Sequence, residues 1–170
     1  MPNYVTTQII GLADAIDDLT RTNEDGKLIA DFALVIPEPE NVETGNCSGQ
    51  HEAGVICWRN WRIENWGTKW NGLDAEVEHR PDGTAQLRFD TAWSHPYEVI
   101  EAMSKKHPDA LLNVTYADED LGGNLGQYEI KNGNRVEVQD FDEYSDLARE
   151  FAAQIIYGKT YAGLQKEWEA

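Results

Sequence analysis

Residues 75–106 read AEVEHRPDGTAQLRFDTAWSHPYEVIEAMSKK, and this stretch decides the fold. The segments 75–80 and 84–93 flank Pro81-Asp82-Gly83, whose residue types are typical of a tight turn, so they predict a β-hairpin. A helix follows over about 95–106, because apolar residues recur there at helical spacing. A hairpin followed by a helix is one half of a mixed α+β domain.

The elements on either side complete the order. Before the hairpin, the sequence predicts a strand at 4–10, a helix at 12–19, a strand at 32–36, a long loop at 37–54 and a helix at 57–66. After it, the sequence predicts a strand at 111–116, strands at 127–131 and 135–139 around Asn132-Gly133, and a helix capped by Asp140 and ended by Gly158.

This order predicts an α+β fold with an antiparallel sheet of the ferredoxin-like type, β-α-β-β-α-β. The additions are a tryptophan-rich helix, a second hairpin and a C-terminal helix. At 170 residues the chain is expected to be a single domain, 1–170. We divide it into a ferredoxin-like core at 1–130 and an added part at 131–170, which holds a hairpin strand and the last helix.

The segment 57–71, CWRNWRIENWGTKWN, holds four of the six tryptophans and is locally cationic. Tryptophans at helical spacing beside a sheet favour a place in the core, with arginine stacked on their faces. The alternative is a surface on which unpaired bases stack. That interpretation makes a single-stranded nucleic acid or a nucleotide the ligand, and its candidate residues are Trp58, Arg59, Arg62, Lys69 and Trp70.

The formal net charge is −17. Binding to duplex nucleic acid requires phosphate neutralisation by Lys and Arg, so this charge argues against it, and it argues equally against anionic membranes. Neither a membrane-length apolar run nor a secretory signal is visible, which predicts a cytoplasmic protein. The charge favours steered encounter with a basic protein surface.

Two acidic clusters are the candidate partner-binding residues. On the predicted last helix, Asp142, Asp146 and Glu150 recur at i, i+4 and i+8 and would form one stripe. Like charges at this spacing disfavour an isolated helix. Charged stripes are usually no more than a soluble surface, but a net charge of −17 exceeds the magnitude of about 2–8 that solubility suggests for a small domain, so the alternative is a basic partner. The second cluster is Asp118-Glu119-Asp120.

The sequence shows neither a catalytic motif nor a metal-binding pattern. Cys47 and Cys57 are ten positions apart without a metal-binding pattern, so we expect two reduced thiols and neither metal nor cofactor. The glycine-rich loop 122–126 leads to a strand, whereas a phosphate-binding loop leads to a helix. The titratable or nucleophilic residues near predicted strand ends are Asp74, Asp90, Thr91, His95 and Lys69, and no catalytic motif contains them.

Several stretches together resemble the YubB-type family of small proteins encoded on phages, prophages and conjugative plasmids. They are MPNYVT at 1–6, Trp58 with NWGTKWN at 65–71, FDTAWS at 89–94, MSKKHP at 103–108, and Tyr116 with Glu119. The resemblance covers roughly 1–130 and implies a ferredoxin-like fold and a mobile-element origin, without an assigned activity. The chain departs from the family's pattern at His95-Pro96 and at Asp120-Leu121-Gly122.

Mobile elements carry small acidic proteins that block host restriction or CRISPR complexes, with carboxylates in the places of phosphates. Charge and resemblance together therefore predict a non-enzymatic counter-defence protein, a nucleic-acid mimic that binds and inhibits a basic host protein. The sequence leaves the oligomeric state open.

Overall fold

A computed structural model describes residues 3–43, 45, 47 and 55–169. Its strands are β1 (Tyr4–Leu12), β2 (Thr20–Thr22), β3 (Leu28–Ala30), β4 (Val42–Glu43), β5 (Ile56–Cys57), β6 (Leu73–His79), β7 (Thr84–Ala92), β8 (Leu112–Asp118), β9 (Leu125–Lys131) and β10 (Asn134–Gln139). Its α-helices are α1 (Ala13–Asp17), α2 (Trp58–Trp66), α3 (Tyr97–Lys106), α4 (Asp146–Tyr157) and α5 (Tyr161–Trp168).

Six strands form one sheet in the order β10-β9-β8-β1-β7-β6, and every neighbouring pair is antiparallel. Strand β1 lies between β7 and β8, and α3 joins these two strands. The predicted β-α-β-β-α-β arrangement therefore consists of β1, the helical connection from β1 to β6, the β6–β7 hairpin, α3 and β8. The α+β, ferredoxin-like prediction is confirmed, and the second hairpin extends the sheet beyond β8.

The two faces of the sheet bury different clusters. One face packs against α1 and α3 and holds the main core, in which Ile9, Leu87 and Phe89 have no exposed surface. The other face packs against α4 and α5 around Ala117 and Ala153. Successive side chains of β7 point to opposite faces of the sheet, so this strand contributes side chains to both faces.

The tryptophan-rich helix is anchored in the main core by Trp66. This side chain is 1% exposed, and its Nε1 donates a hydrogen bond of 2.9 Å to the carbonyl of Ile36. The ring packs edge-on against Phe32 and Trp61. Gly67 then ends α2 in the left-handed conformation, φ 77°, as the sequence predicts.

Two local predictions are wrong. The apolar run 32–36 is not a strand: Phe32–Leu34 form a 3₁₀ turn, since the Asp31 carboxylate accepts the Ala33 N–H and starts that turn. The last helix begins at Asp146, because Ser145 rather than Asp140 caps it by accepting the Ala148 N–H. The β2–β3 hairpin and α5 were not predicted.

The cysteine prediction is also wrong, since Cys47 and Cys57 form a disulfide with Cα atoms 5.7 Å apart. Strand β4 pairs with β5 in parallel and places Glu43 beside Cys57. Cys47 is only four positions after Glu43 and is therefore within reach of Cys57. Much of the predicted loop 37–54, namely residues 44, 46 and 48–54, lies outside the described residues, as do Met1 and Pro2 of the family resemblance.

Within the described part of the chain, no helix combines the length and the apolar character that crossing a membrane requires.

Candidate functional site

The two predicted acidic clusters meet at one end of the molecule. The Tyr144 hydroxyl donates a hydrogen bond of 2.8 Å to Oδ2 of Asp120, and the Tyr144 N–H donates one of 2.8 Å to the carbonyl of Gly122. These contacts hold the segment before α4 against the loop after β8. We call the exposed carboxylates gathered there the acidic surface: Glu119, Asp120, Asp142, Glu143 and Asp146.

The segment before α4 is held in place from both of its ends. Phe141 packs against Phe151 of α4, with ring centroids 4.5 Å apart. Tyr144 adopts a left-handed conformation, φ 57°, directly before the capping residue Ser145. The chain therefore turns sharply into the helix, and the side chains of Asp142 and Glu143 remain in solvent. Asp142 is off the helix, so the predicted three-residue helical stripe does not exist.

Asp118 organises the loop and is not part of the acidic surface. It is 5% exposed, and its carboxylate accepts hydrogen bonds of 3.1 Å from the Asn3 side-chain amide, the Asn124 side-chain amide and the Asp120 N–H. A buried carboxylate bound by three donors has a structural role, and the structure does not present it to a partner.

Two other predicted contact residues also carry structural hydrogen bonds. Glu150 accepts the Tyr161 N–H at 2.8 Å and so caps the amino terminus of α5. Glu119 accepts the Tyr4 N–H at 3.0 Å through Oε1, but its side chain is exposed. Glu119 can therefore bond to β1 and still be exposed to a partner, whereas the Glu150 carboxylate is engaged in the hydrogen bond that links α4 to α5.

A polar cavity of about 320 Å³ lies beside the acidic surface. Tyr116 and Asn124 line it together with the carboxylates of Glu137, Asp140 and Glu143. Of these, Glu137 already pairs with Arg135, whereas Asp140 and Glu143 take part in no ion pair among the described residues. Two carboxylates beside an aromatic ring are a chemistry that suits an ammonium or guanidinium group. The cavity is therefore large and acidic enough to admit the end of a Lys or Arg side chain.

The charge of the acidic surface is not neutralised locally. Among the ion pairs of the described residues, none includes Glu119, Asp120, Asp142, Glu143 or Asp146. The hydrogen bond to Asp120 raises the pKa of the Tyr144 phenol above its ordinary value, because it stabilises the protonated hydroxyl. The surface thus presents a field that favours a cationic partner.

In one half of the tryptophan-rich segment, an arginine of the segment itself already covers the tryptophan rings. Arg62 lies over Trp58 and Trp66, 5.0 and 4.9 Å from the ring centroids, and pairs with Glu38 through two hydrogen bonds of 2.6 and 3.1 Å. The indole N–H of Trp58 donates to the carbonyl of Gly45. These two predicted ligand residues, Trp58 and Arg62, are thus tied into the fold.

The other half of this cluster is more open. The Lys69 ammonium lies 4.1 Å from the ring centroid of Trp70 and 3.9 Å from that of Trp93, and the Arg59 guanidinium lies 5.8 Å from the latter. Trp93 is 43% exposed and was absent from the predicted ligand set. Its place in FDTAWS, at the end of β7, is the signal that could have pointed to it.

The side chains considered for catalysis have structural partners or lie apart. Asp90 accepts the Thr6 hydroxyl at 2.7 Å, and the Thr91 hydroxyl donates to the Ser94 carbonyl at 2.8 Å. His95 stacks on Tyr116 with centroids 4.2 Å apart, and its Nε2 lies 2.8 Å from the hydroxyl of Tyr128. Burial lowers the pKa of His95 to about 3, so the imidazole is neutral at physiological pH. Asp74 is exposed, at the start of β6.

Comparison with known families identifies the domain. The family described as the ferredoxin-like domain in Api92-like protein matches residues 65–158, more than half of the chain. The chain belongs to this family. A solved structure, that of a protein api92 from Yersinia pseudotuberculosis, is similar at 20% identity and a TM-score of 0.44, over 55% of this chain and 32% of that one. This chain thus spans about a third of that protein's length. No curated protein matches the sequence.

The Api92-like domain contains the acidic surface. The match begins in α2 and ends after α4, so it includes both the loop after β8 and the segment before α4. It excludes Trp58, Arg59 and Arg62. The matched segment continues through β10 and α4.

Proposed function

We propose that this Api92-like chain is a non-enzymatic protein that binds a basic surface of a host protein which handles nucleic acid. The observation that carries the proposal is the meeting of two acidic segments through Tyr144 and Asp120. Neither segment alone offers more than a few carboxylates. Together they form a surface that has no ion pair with any other described residue, beside a cavity suited to a cationic side chain.

Inhibition by nucleic-acid mimicry is the form of binding that we propose. A site that recognises phosphates presents Lys and Arg side chains, and carboxylates can accept the same charge-assisted hydrogen bonds. The resemblance to proteins of phages and plasmids supports a counter-defence role, with a CRISPR or restriction protein as the target. A partner of this kind acts in the host cytoplasm.

The disulfide between Cys47 and Cys57 bears on the proposed cytoplasmic location. Disulfide bonds are rare in cytosolic proteins, where thiols are kept reduced. The acidic surface lies in residues 119–146, and none of the hydrogen bonds of the described residues joins it to Cys47 or Cys57. We therefore expect binding to be the same with the bond reduced.

Charge reversal tests the proposal. The protein, immobilised, is exposed to host lysate as the wild type and as a variant carrying Asp142→Lys, Glu143→Lys and Asp146→Lys. Glu150 is left intact because it caps α5. The matched control makes the same change in net charge at three other exposed acids: Asp25, Glu78 and Glu169.

The wild type and the control should retain the same basic partner, and the surface variant should lose it while keeping its circular dichroism spectrum. A duplex oligonucleotide should displace the partner if the surface mimics nucleic acid. Equal retention by the surface variant and the wild type would refute the proposed surface. Loss by both variants would show that net charge alone, and not this surface, accounts for binding.

A second candidate function is binding of a single-stranded nucleic acid or a nucleotide, which the exposed Trp93 between Arg59 and Lys69 favours. Its test is tryptophan fluorescence titrated with a single-stranded oligonucleotide at low salt, with Trp93→Phe as the comparison. Quenching that Trp93→Phe removes would support this candidate. An unchanged signal would leave the acidic surface as the binding site.

A further inference from the structure

Strand β10 lies at one edge of the six-stranded sheet, and its outer side pairs with no other described strand. Val136 is 64% exposed and Val138 is 51% exposed. Exposed apolar residues on an edge strand are an unusual combination, because such edges are templates for pairing with another chain. Beside Val136 a groove of about 420 Å³ is lined by Pro108 and Leu111.

The backbone of β10 is correctly oriented for such pairing. The two-residue loop Asn132-Gly133 is flanked by Lys131 and Asn134, and in such a hairpin the flanking pair is hydrogen-bonded and later pairs alternate. Arg135 and Glu137 therefore occupy the pairs that are not bonded to β9. Their N–H and C=O groups are directed outward, to the free edge.

The sequence of β10 is complementary to itself. When two copies of residues 134–137 run antiparallel about a two-fold axis at Val136, Arg135 lies opposite the partner's Glu137. Within one copy Arg135 already pairs with Glu137, so the contact would bring two such pairs side by side with opposite charges facing each other. Val136 then lies opposite the partner's Val136, in the close, non-hydrogen-bonded type of pair. An isologous contact of this kind closes on itself as a dimer.

We propose that the protein associates with a second copy of itself through antiparallel pairing of β10, centred on Val136. The outward N–H and C=O groups of Arg135 and Glu137 form the new ladder. The two Val136 side chains cover each other on the face that carries Leu111. The sheet then continues through the two-fold axis from one copy into the other.

The dimer is expected to be weak and to strengthen with salt. One pair of short strands buries less than the roughly 1,200 Å² of a stable specific interface. Each copy also carries a charge of −17, and this repulsion is screened as the ionic strength rises. Binding of a basic partner to the acidic surface has the opposite salt dependence, so the two associations can be distinguished.

Cysteine cross-linking tests the register. Val136→Cys should form a disulfide-linked dimer under mild oxidation, since the described chain has no free cysteine to compete. Val138→Cys is the matched control, because residue 138 is also exposed on β10 but lies at the register shift between Glu137 and Gln139, away from the two-fold axis. Faster cross-linking at 136 than at 138 supports the proposal. Equal rates at the two positions would overturn it.

Sedimentation equilibrium supplies the second measurement. The wild type should show a dimer fraction that rises with protein concentration and with salt. Val136→Lys should remain folded but monomeric, because it sets like charges opposite each other. A wild type that stays monomeric at roughly millimolar concentration in about 0.5 M salt would overturn the proposal.

Discussion

The hydroxyl of Tyr144 lies 2.8 Å from Oδ2 of Asp120 and joins residues 24 positions apart in the chain. The same tyrosine donates its N–H to Gly122, so one residue fixes the segment before α4 to the loop after β8 at two points. This double attachment is what turns two short acidic segments into one surface.

The first prediction concerns the titration of Tyr144. Its pKa is raised because its hydroxyl donates to the Asp120 carboxylate. Asp120→Asn removes that charge and should lower the pKa of Tyr144 towards its ordinary value. The measurement is the ultraviolet difference titration of the tyrosines, with Tyr144→Phe identifying the phenol concerned. An identical titration curve in Asp120→Asn would show that the contact does not persist in solution.

The second prediction concerns pH and His95. The folded-state pKa of about 3 lies below the unfolded value of about 6.5, so below pH 6.5 the unfolded chain takes up a proton that the native state does not. This group therefore makes stability fall as pH falls through that window, by up to about 1.4 kcal/mol per pH unit. Urea midpoints between pH 6.5 and 5, above the range of ordinary carboxylates, measure the effect.

His95→Gln should show a shallower pH dependence than the wild type, even if its stability at pH 7 is lower. The account of His95 as a buried neutral imidazole fails if His95→Gln and the wild type have the same slope.

The third prediction concerns the disulfide. Joining residues ten positions apart restricts the unfolded chain, and on the chain-entropy account it stabilises the fold by roughly 2.5–3 kcal/mol. Cys47→Ser should therefore lower the Tm by about 5–10 °C. Reductant should lower the Tm of the wild type by a similar amount and leave the Tm of Cys47→Ser unchanged. A wild-type Tm that is insensitive to reductant would contradict the bond between Cys47 and Cys57.

The fourth prediction separates the two kinds of tryptophan. Trp66 is 1% exposed and Trp93 is 43% exposed. Trp66→Ala should cost about 3–5 kcal/mol of stability, because it leaves a cavity in the core and removes the partner of the Ile36 carbonyl. Trp93→Ala should cost about 1 kcal/mol or less. Chemical denaturation of both variants gives the comparison, and equal losses would contradict the assignment of Trp66 as a core residue.

Much of the fold was predictable from the sequence because its signals are local. The turns at Pro81-Asp82-Gly83 and Asn132-Gly133 fix two hairpins, and Gly67 and Gly158 each end a helix in the left-handed conformation. The failures have tertiary causes. Phe32 enters the core from a 3₁₀ turn because Asp31 caps it, and no pattern of apolar residues reveals that cap.

The site was predictable only in part. The sequence identifies the acidic residues, but it cannot show that Asp118 is buried or that Glu150 caps α5. Asp140 and Ser145 are both acceptable capping residues, and the choice between them depends on the contact of Tyr144 with Gly122. Pairs this far apart in the chain leave no periodicity in the sequence.

The most direct test of the acidic surface is a titration of the ¹⁵N-labelled protein with an arginine-rich peptide, followed by two-dimensional NMR. We expect the amide signals of Asp120, Glu143 and Asp146 to shift together, with one affinity that weakens as salt is added. Signals of Asp25 and Glu78, which are exposed acids elsewhere, should move little. Shifts of equal size at all five residues would contradict the claim that the carboxylates around Tyr144 form a distinct binding surface.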